Sequence, residues 1–169
     1  MLLSKYLSKT EFSSYNDFME NFEVIIPERF NFAYDVVDEW ARLAPNKPAL
    51  LWTDENGAER QYSFADMKEM SDRTAAMFLS LGIKKGDMVM LILKRNIEFW
   101  FSILALHKIG AVTIPATHLL TEKDIIYRTN AASIKMIVCC GDDSVISHIQ
   151  KALPDSPSVE CVVSIGPNV

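Results

Sequence analysis

One stretch, residues 81–117 (LGIKKGDMVMLILKRNIEFWFSILALHKIGAVTIPAT), limits what this chain can fold into. It reads as strand, helix, strand. Gly82 stands where a helix ends in a left-handed residue, a conformation that is free of penalty only without a Cβ. Gly86-Asp87 turns the chain into residues 88–93, a continuous apolar run of strand length. Asn96 is placed to cap a helix over 97–109, and Gly110 to end it. Residues 111–115 return as a second apolar strand. Strands that are apolar on both faces and joined through a helix require a parallel sheet with both faces covered. In the helix, Glu98, Ser102 and Lys108 form a narrow polar stripe, whereas Ile97, Phe99, Trp100, Phe101, Ile103, Leu104 and Leu106 point almost everywhere else. A helix apolar nearly all round is buried nearly all round. This one is expected to pack on the sheet and on a second body outside the chain.

Residues 1–29 are mixed polar and aromatic, with a short helix over 15–22 that Pro27 keeps from extending; they read as a wrapping N-terminal arm. From residue 30 onward the pattern is that of one α/β unit. Phe32, Val36, Val37, Trp40 and Leu43 recur at helical spacing until Pro45 and Pro48 intervene. Runs 49–53 and 59–62 flank Asp54-Glu55-Asn56-Gly57, whose Asn-Gly pair signals a hairpin. Ser63 and Asp66 form a capping box for a helix to residue 81. That helix is expected to bury Phe64, Met67, Ala75, Phe78 and Leu81 and to expose Glu69, Asp72 and Arg73. Thr121 and Asp124 form a second box, opening a helix that ends near Asn130. A strand over 134–140, a helix over 142–152 stopped before Pro154, and a strand over 159–165 follow. This alternation predicts an α/β fold, a mainly parallel sheet with helices on both faces.

With 169 residues, 49% of them hydrophobic, the chain can bury one sizeable core. Its net charge of −5 comes from interspersed acids and bases, so no basic stripe suits nucleic acid or an anionic membrane surface. No run approaches the roughly 18 apolar residues of a membrane span, and the N-terminus MLLSKYLSKTEF is too short in apolar residues for a signal peptide. Three cysteines, Cys139 and Cys140 adjacent, give neither a disulfide framework nor a metal-ligand spacing. They read as small strand residues in a reducing cytoplasm.

Ligands of α/β sheets sit beyond the carboxyl ends of the strands. The first such loop, Lys94-Arg95-Asn96, has no glycine, which excludes a dinucleotide fingerprint and a Walker-type loop. Lys94 and Arg95 there are surface charge or an anion contact. The next loop, residues 115–120, is the better candidate for a ligand-facing wall, with His118 either solvated or binding. His107 and His148 have no acid or cysteine partner at useful spacing. Asp142-Asp143 suits a helix start and makes a poor metal site. Phe99, Trp100 and Phe101 read as core or interface. Spacing and composition alone give a ligand-binding α/β domain with no catalytic residue and no metal ligands.

The run 62–66 (YSFAD), then 81–89 (LGIKKGDMV), then Gly110-Ala111 with Pro115 resembles the N-terminal part of the AMP-forming acyl-CoA synthetases of the adenylate-forming superfamily. Phe30-Asn31-Phe32 with residues 35–38, Glu98-Phe99-Trp100 and residues 124–128 are similar to its medium-chain branch. The resemblance runs from residue 30 to the C-terminus and implies an incomplete AMP-binding domain over 30–169, the first part of the large domain. Such enzymes use ATP and Mg²⁺ to turn a carboxylate into an acyl-adenylate and pyrophosphate, then pass the acyl group to CoA. Electrostatic stabilisation of the phosphoryl group in flight is central to that chemistry. The resemblance places the phosphate loop, the Thr-Glu pair, the ribose-holding Asp and the mobile lysine all downstream of Val169. The 169 residues alone are therefore expected to be inactive and to bind none of ATP, Mg²⁺ or CoA tightly.

In medium-chain relatives the loop matching 115–120 lines the approach of CoA, which marks Thr117, His118 and Leu119 as a wall of that channel. Leu119 stands where some relatives carry a polar amide and cannot supply its hydrogen bond. No arginine occurs over 142–147, where acetyl-CoA synthetases hold the CoA nucleotide. The expected partner is the remainder of a synthetase chain, or a second copy through helix 97–109. The alternative is a non-catalytic binding or interaction module of synthetase ancestry; a flavodoxin-like domain is disfavoured by the absent phosphate loop.

Overall fold

The computed structural model describes residues 2–54 and 56–166. Met1 of the expected arm, Glu55 of the expected hairpin turn and residues 167–169 of the expected domain lie outside them. Helix α1 (Tyr15–Asn21) is followed by a π-helical turn (Ala33–Asp38) that runs into the short α2 (Glu39–Leu43). Strands β1 (Pro48–Thr53) and β2 (Glu59–Ser63) form an antiparallel hairpin. Then come α3 (Phe64–Ser80), β3 (Met88–Ile92), α4 (Glu98–Ile109), β4 (Val112–Pro115), α5 (Glu122–Ala132), β5 (Met136–Cys140), α6 (Asp143–Ala152) and β6 (Cys161–Ile165). The last four strands make one parallel sheet in the order β4-β3-β5-β6. The α/β reading therefore holds.

Alternation along the strands divides the core. Val89, Leu91, Leu93 and Val138 face α3 and α4, whereas Met90, Ile92, Ile137 and Cys139 face α5 and α6. Helices thus cover both faces, as a parallel sheet needs. Both capping boxes form: Ser63 and Asp66 open α3, and Thr121 and Asp124 open α5, each with side chain and backbone bonded reciprocally. Gly110 ends α4 in the left-handed region at φ 71°.

The second body expected outside the chain is supplied from within it. A third core of Ala33, Val37, Met67, Ile97, Phe101 and Leu104 joins the π turn and α3 to the outer face of α4, with the hairpin's Leu50, Trp52 and Tyr62 against it. Phe101, 4% exposed, alone accounts for about 2–3 kcal/mol of apolar burial. The polar stripe is buried as well: Ser102 and Lys108 are inside, and the residue left in solvent is Trp100, 46% exposed. Lys108 is tolerated there because Asp38 and Asp72 are folded onto it.

Other expectations are corrected in detail. Asn96 does not cap α4; its backbone N–H bonds Leu93 O at 2.9 Å, and Ile97 takes the cap position without a side-chain bond. Leu81 is exposed, and Ser71, a polar residue, is buried on the inner face of α3. Asp72 is half-buried, held between Lys68 and Lys108. The segment expected as one α-helix over 30–45 is π-helical in its first half, so Ala33, Val37 and Ala41, spaced by four, are buried, while Phe32 and Leu43 are exposed. The hairpin loop is five residues, since Thr53 pairs with Glu59, rather than the tight two-residue turn that Asn-Gly favours.

Candidate functional site

A cavity of about 780 Å³ opens at the carboxyl ends of β3 and β4. The turn after β3 contributes Lys94 and Arg95, the loop after β4 contributes Thr117 and His118, and the hairpin contributes Trp52 and Asp54. Leu91, Leu93 and Phe99 make its apolar floor. Each wall has a local cause. Ala116 N–H donates to Leu91 O at 2.9 Å, which extends the β3–β4 ladder and sets the direction of the loop beyond. The Thr117 hydroxyl oxygen accepts from Leu119 N–H at 3.2 Å and tightens that loop. Trp52 Nε1–H donates to Arg95 O at 2.6 Å and fastens the hairpin over the β3–α4 turn. Asp54 Oδ1 accepts from Ala58 N–H at 2.8 Å and Asn56 N–H at 2.9 Å, and these bonds hold its carboxyl below the usual carboxylate range.

The turn after β3 is the strained part of the wall. Lys94 adopts φ 47°, a left-handed conformation that costs a side-chain-bearing residue about 1–2 kcal/mol. Its ammonium donates to Asp142 Oδ2 at 2.6 Å, bridging from β3 to the start of α6. Asp142 Oδ1 meanwhile accepts from Ser144 N–H, Val145 N–H and the Ser144 hydroxyl. Lys94 and these donors drive the Asp142 carboxyl far below its ordinary value.

Of the residues marked from sequence, Thr117 and His118 line the cavity; Leu119 does not, being 74% exposed and outside the lining. The loop turns at Thr117, which carries Leu119 outward and buries Leu120 at 6% exposure. His107 lies away from the cavity, where burial lowers its pKa and its Nδ1 has no hydrogen-bond partner among the described residues. His148 Nδ1 lies 3.1 Å from Leu120 O. Sequence reasoning missed Trp52, Asp54 and Asn56. A hairpin placed before the sheet gives no sign of which strand ends it will cover; a Trp at the end of β1 was the available hint.

Asp142 already meets the charge of Lys94, so Arg95 and Asp54 are left as the opposed charges of a mixed polar and apolar rim. His118 has no acid or thiol bonded to it among the described residues, so no nucleophile–base pair is assembled. Three amides at the start of α4 are already bonded: Asn96 N–H to Leu93 O, Phe99 N–H to Asn96 O and Trp100 N–H to Ile97 O. Among the described residues no group of three or more His, Cys, Asp or Glu side chains is placed to hold a metal. Cys139, Cys140 and Cys161 are free thiols, and among the described residues no helix is long and apolar enough to cross a membrane.

Residues 37–168 match the family model of AMP-binding enzymes. The mitochondrial acyl-coenzyme A synthetase ACSM5 of Rattus norvegicus is 38% identical over 142 residues, which are 80% of this chain and 24% of that relative. The mitochondrial acyl-coenzyme A synthetase ACSM3 of Homo sapiens is 38% identical over 133 residues, 75% of this chain and 23% of that relative. A solved fatty acyl CoA synthetase of Mycobacterium tuberculosis superimposes with a TM-score of 0.71 at 21% identity, covering 80% of this chain and 26% of that one. That last likeness is one of fold. The chain spans about a quarter of the length of the curated relatives it matches.

Proposed function

The chain belongs to the family of AMP-binding enzymes, and from that premise we propose that it is the N-terminal scaffold of an AMP-forming acid–CoA ligase. The complete reaction would join a carboxylic acid, a medium-chain fatty acid or a related one, to CoA, with ATP and Mg²⁺ consumed and AMP and pyrophosphate released. The observation that carries this reading is the 38% identity to acyl-coenzyme A synthetases across three quarters or more of the chain. The open cavity at the β3 and β4 ends supports it, with Thr117 and His118 as the wall past which CoA would approach. No step of adenylate chemistry is assigned to these residues. The 169 residues by themselves are proposed to be inactive and to hold neither ATP nor CoA tightly.

Residues 1–29 are proposed to act as an arm on the unit formed by 30–169, and the remainder of a synthetase chain is the partner proposed for that unit. Association through α4 would centre on Trp100, the one exposed residue of that helix. The free thiols favour a reducing compartment, and the two relatives' names set the mitochondrion beside the cytoplasm as the place to look.

The test uses two proteins. The 169-residue chain, supplied with ATP, octanoate and CoA, is expected to release pyrophosphate at the rate of a protein-free blank. Human ACSM3 whose matching 133 residues are replaced by those of this chain is expected to keep octanoate-dependent pyrophosphate release within about tenfold, a loss of no more than about 1.4 kcal/mol of transition-state stabilisation. A chimera that folds and is inactive would overturn the scaffold reading in favour of an interaction module.

A further inference from the structure

The least expected charge in the molecule is Lys108. Its side chain is 1% exposed, yet its Nζ lies 2.6 Å from Asp72 Oδ1 and 2.9 Å from Asp38 Oδ1. The Asp72 contact is a hydrogen bond; Asp38 approaches as a charge, without hydrogen-bond alignment. The Tyr34 ring centroid stands 5.5 Å from the same ammonium. Asp38 closes the π turn and Asp72 sits in the middle of α3, so three elements meet at one buried cation.

A π turn is rarer and less favourable than an α turn of the same residues, so something outside the segment must hold it. Rewinding to α would rotate the residues after the extra one by about 100° relative to those before it. Ala33, fully buried, and Asp38 could not then both keep their places against α4. Asp38 is the one with a charge to lose. Without it, the buried ammonium would depend on Asp72 alone, whose side chain is 42% exposed.

The N-terminal arm is tied to this same segment. The Tyr6 hydroxyl donates to Asp35 O at 3.0 Å, inside the π turn, and Lys5 Nζ bonds Glu39 Oε1 at 2.7 Å just after it. Tyr6 stacks edge-on to Phe30 with centroids 5.6 Å apart. Ile25 N–H donates to Tyr6 O and Ser8 N–H to Glu23 O, so the rest of the arm hangs on these ties.

We infer that Lys108, Asp38 and Asp72 form a register lock: they hold residues 33–38 in the π winding, and through it they strap the N-terminal arm to the domain. Buried ion clusters add little net stability over apolar groups of equal shape, while in some proteins they select one conformation among several. The lock is of that kind. Its removal is expected to leave the fold standing and to free the arm.

The experiment is amide hydrogen exchange on the whole chain, with thermal melts alongside. In the charge-free variant D38N/D72N/K108M the melting temperature is expected to stay within about 4 °C of the unsubstituted chain. Amides of residues 5–8, 23–25 and 35–39 are expected to exchange at least about tenfold faster, with β3 and β5 unchanged. Unchanged protection in those three segments, or a uniform loss of protection with a lower melting temperature, would overturn the lock. D38N alone keeps the Lys108–Asp72 bond and serves where the triple variant does not fold; it is expected to loosen the same segments, and equal protection would again overturn the proposal. Y6F supplies the direction of control. It is expected to loosen 5–8 and 23–25 while 35–39 stays protected; loosening of 35–39 to the same degree would show that the arm, and not the cluster, holds the register.

Discussion

Asp142 Oδ2 accepts a hydrogen bond from Lys94 Nζ at 2.6 Å, while its Oδ1 accepts from the first amides of α6. One carboxylate therefore joins the turn after β3 to the helix after β5 and also caps that helix. The two roles are separable by substitution. D142N keeps an oxygen for the cap and loses the charge pair; D142A loses both. Exposed ion pairs contribute little, and caps contribute more. D142A is expected to lower the melting temperature by about 3 °C and D142N by less than half of that. Circular dichroism melts at low and moderate salt would check it, and equal losses would mean the ion pair, not the cap, dominates.

Trp52 closes the cavity by a single directional bond to Arg95 O. W52F keeps an aromatic ring in the wall and removes the donor. The carbonyl of a turn already strained at Lys94 then has only solvent to bond. Amides over 94–97 are expected to exchange about 3- to 10-fold faster in W52F, with β3 unaffected. If they do not, the hairpin is held by the packing of Trp52 on the third core rather than by its N–H.

Two left-handed glycines allow strain to be told from crowding. Gly57, at φ 80°, has open space where a Cβ would go, whereas a Cβ on Gly110, at φ 71°, would stand 3.0 Å from Lys85 Cγ. G57A is expected to cost the backbone term alone, about 1 kcal/mol. G110A adds the displacement of Lys85 and is expected to cost more, about 2 kcal/mol. Urea unfolding with an unchanged m-value is the measurement. A larger loss for G57A would reverse the argument.

The parts of this fold that are legible in the sequence are those fixed by local chemistry. The boxes at Ser63–Asp66 and Thr121–Asp124, the left-handed glycines and the apolar strands 88–92 and 136–140 depend on neighbours within a few residues. The burial of Lys108 depends on Asp38 and Asp72, tens of residues away, and no periodicity shows that a polar stripe will be met by matching charges. The π turn escapes for a related reason, since apolar spacing assumes one winding throughout. At the site, Thr117 and His118 were reachable because they follow a strand. Lys94 and Asp142 are 48 residues apart and met only once the order β4-β3-β5-β6 put their strands side by side.

Acid should act on this protein in two stages, and the sign follows from which state binds protons first. His107 is held below its usual 6.5 by burial, so on lowering the pH the unfolded chain takes up that proton before the native one does. Stability from a depressed group is complete above the unfolded value and falls as pH drops from it toward the folded value. The first decline therefore starts below about pH 6.5. Carboxyls follow. Bonds from Arg42 and Lys5 bring Glu39 from 4.5 down to about 2. Burial pushes Asp72 up, yet Lys108 and Lys68 outweigh it and leave it below the usual value. The Glu39 contribution is complete above about pH 4.5 and is lost as pH falls toward 2, and that of Asp72 is complete above its ordinary 3.8 and is lost below it. Lys68 and Lys135 are raised by Asp72 and Asp87, so their share is in place while those carboxylates are ionised and fades on the alkaline side above about pH 10.5. Calorimetric melts from pH 2 to 11 are expected to show a plateau between 6.5 and 10, a shallow fall to 4.5 and a steep one below. H107F should extend the plateau down to about pH 4.5. A variant that still declines from 6.5 would assign the first stage to another group.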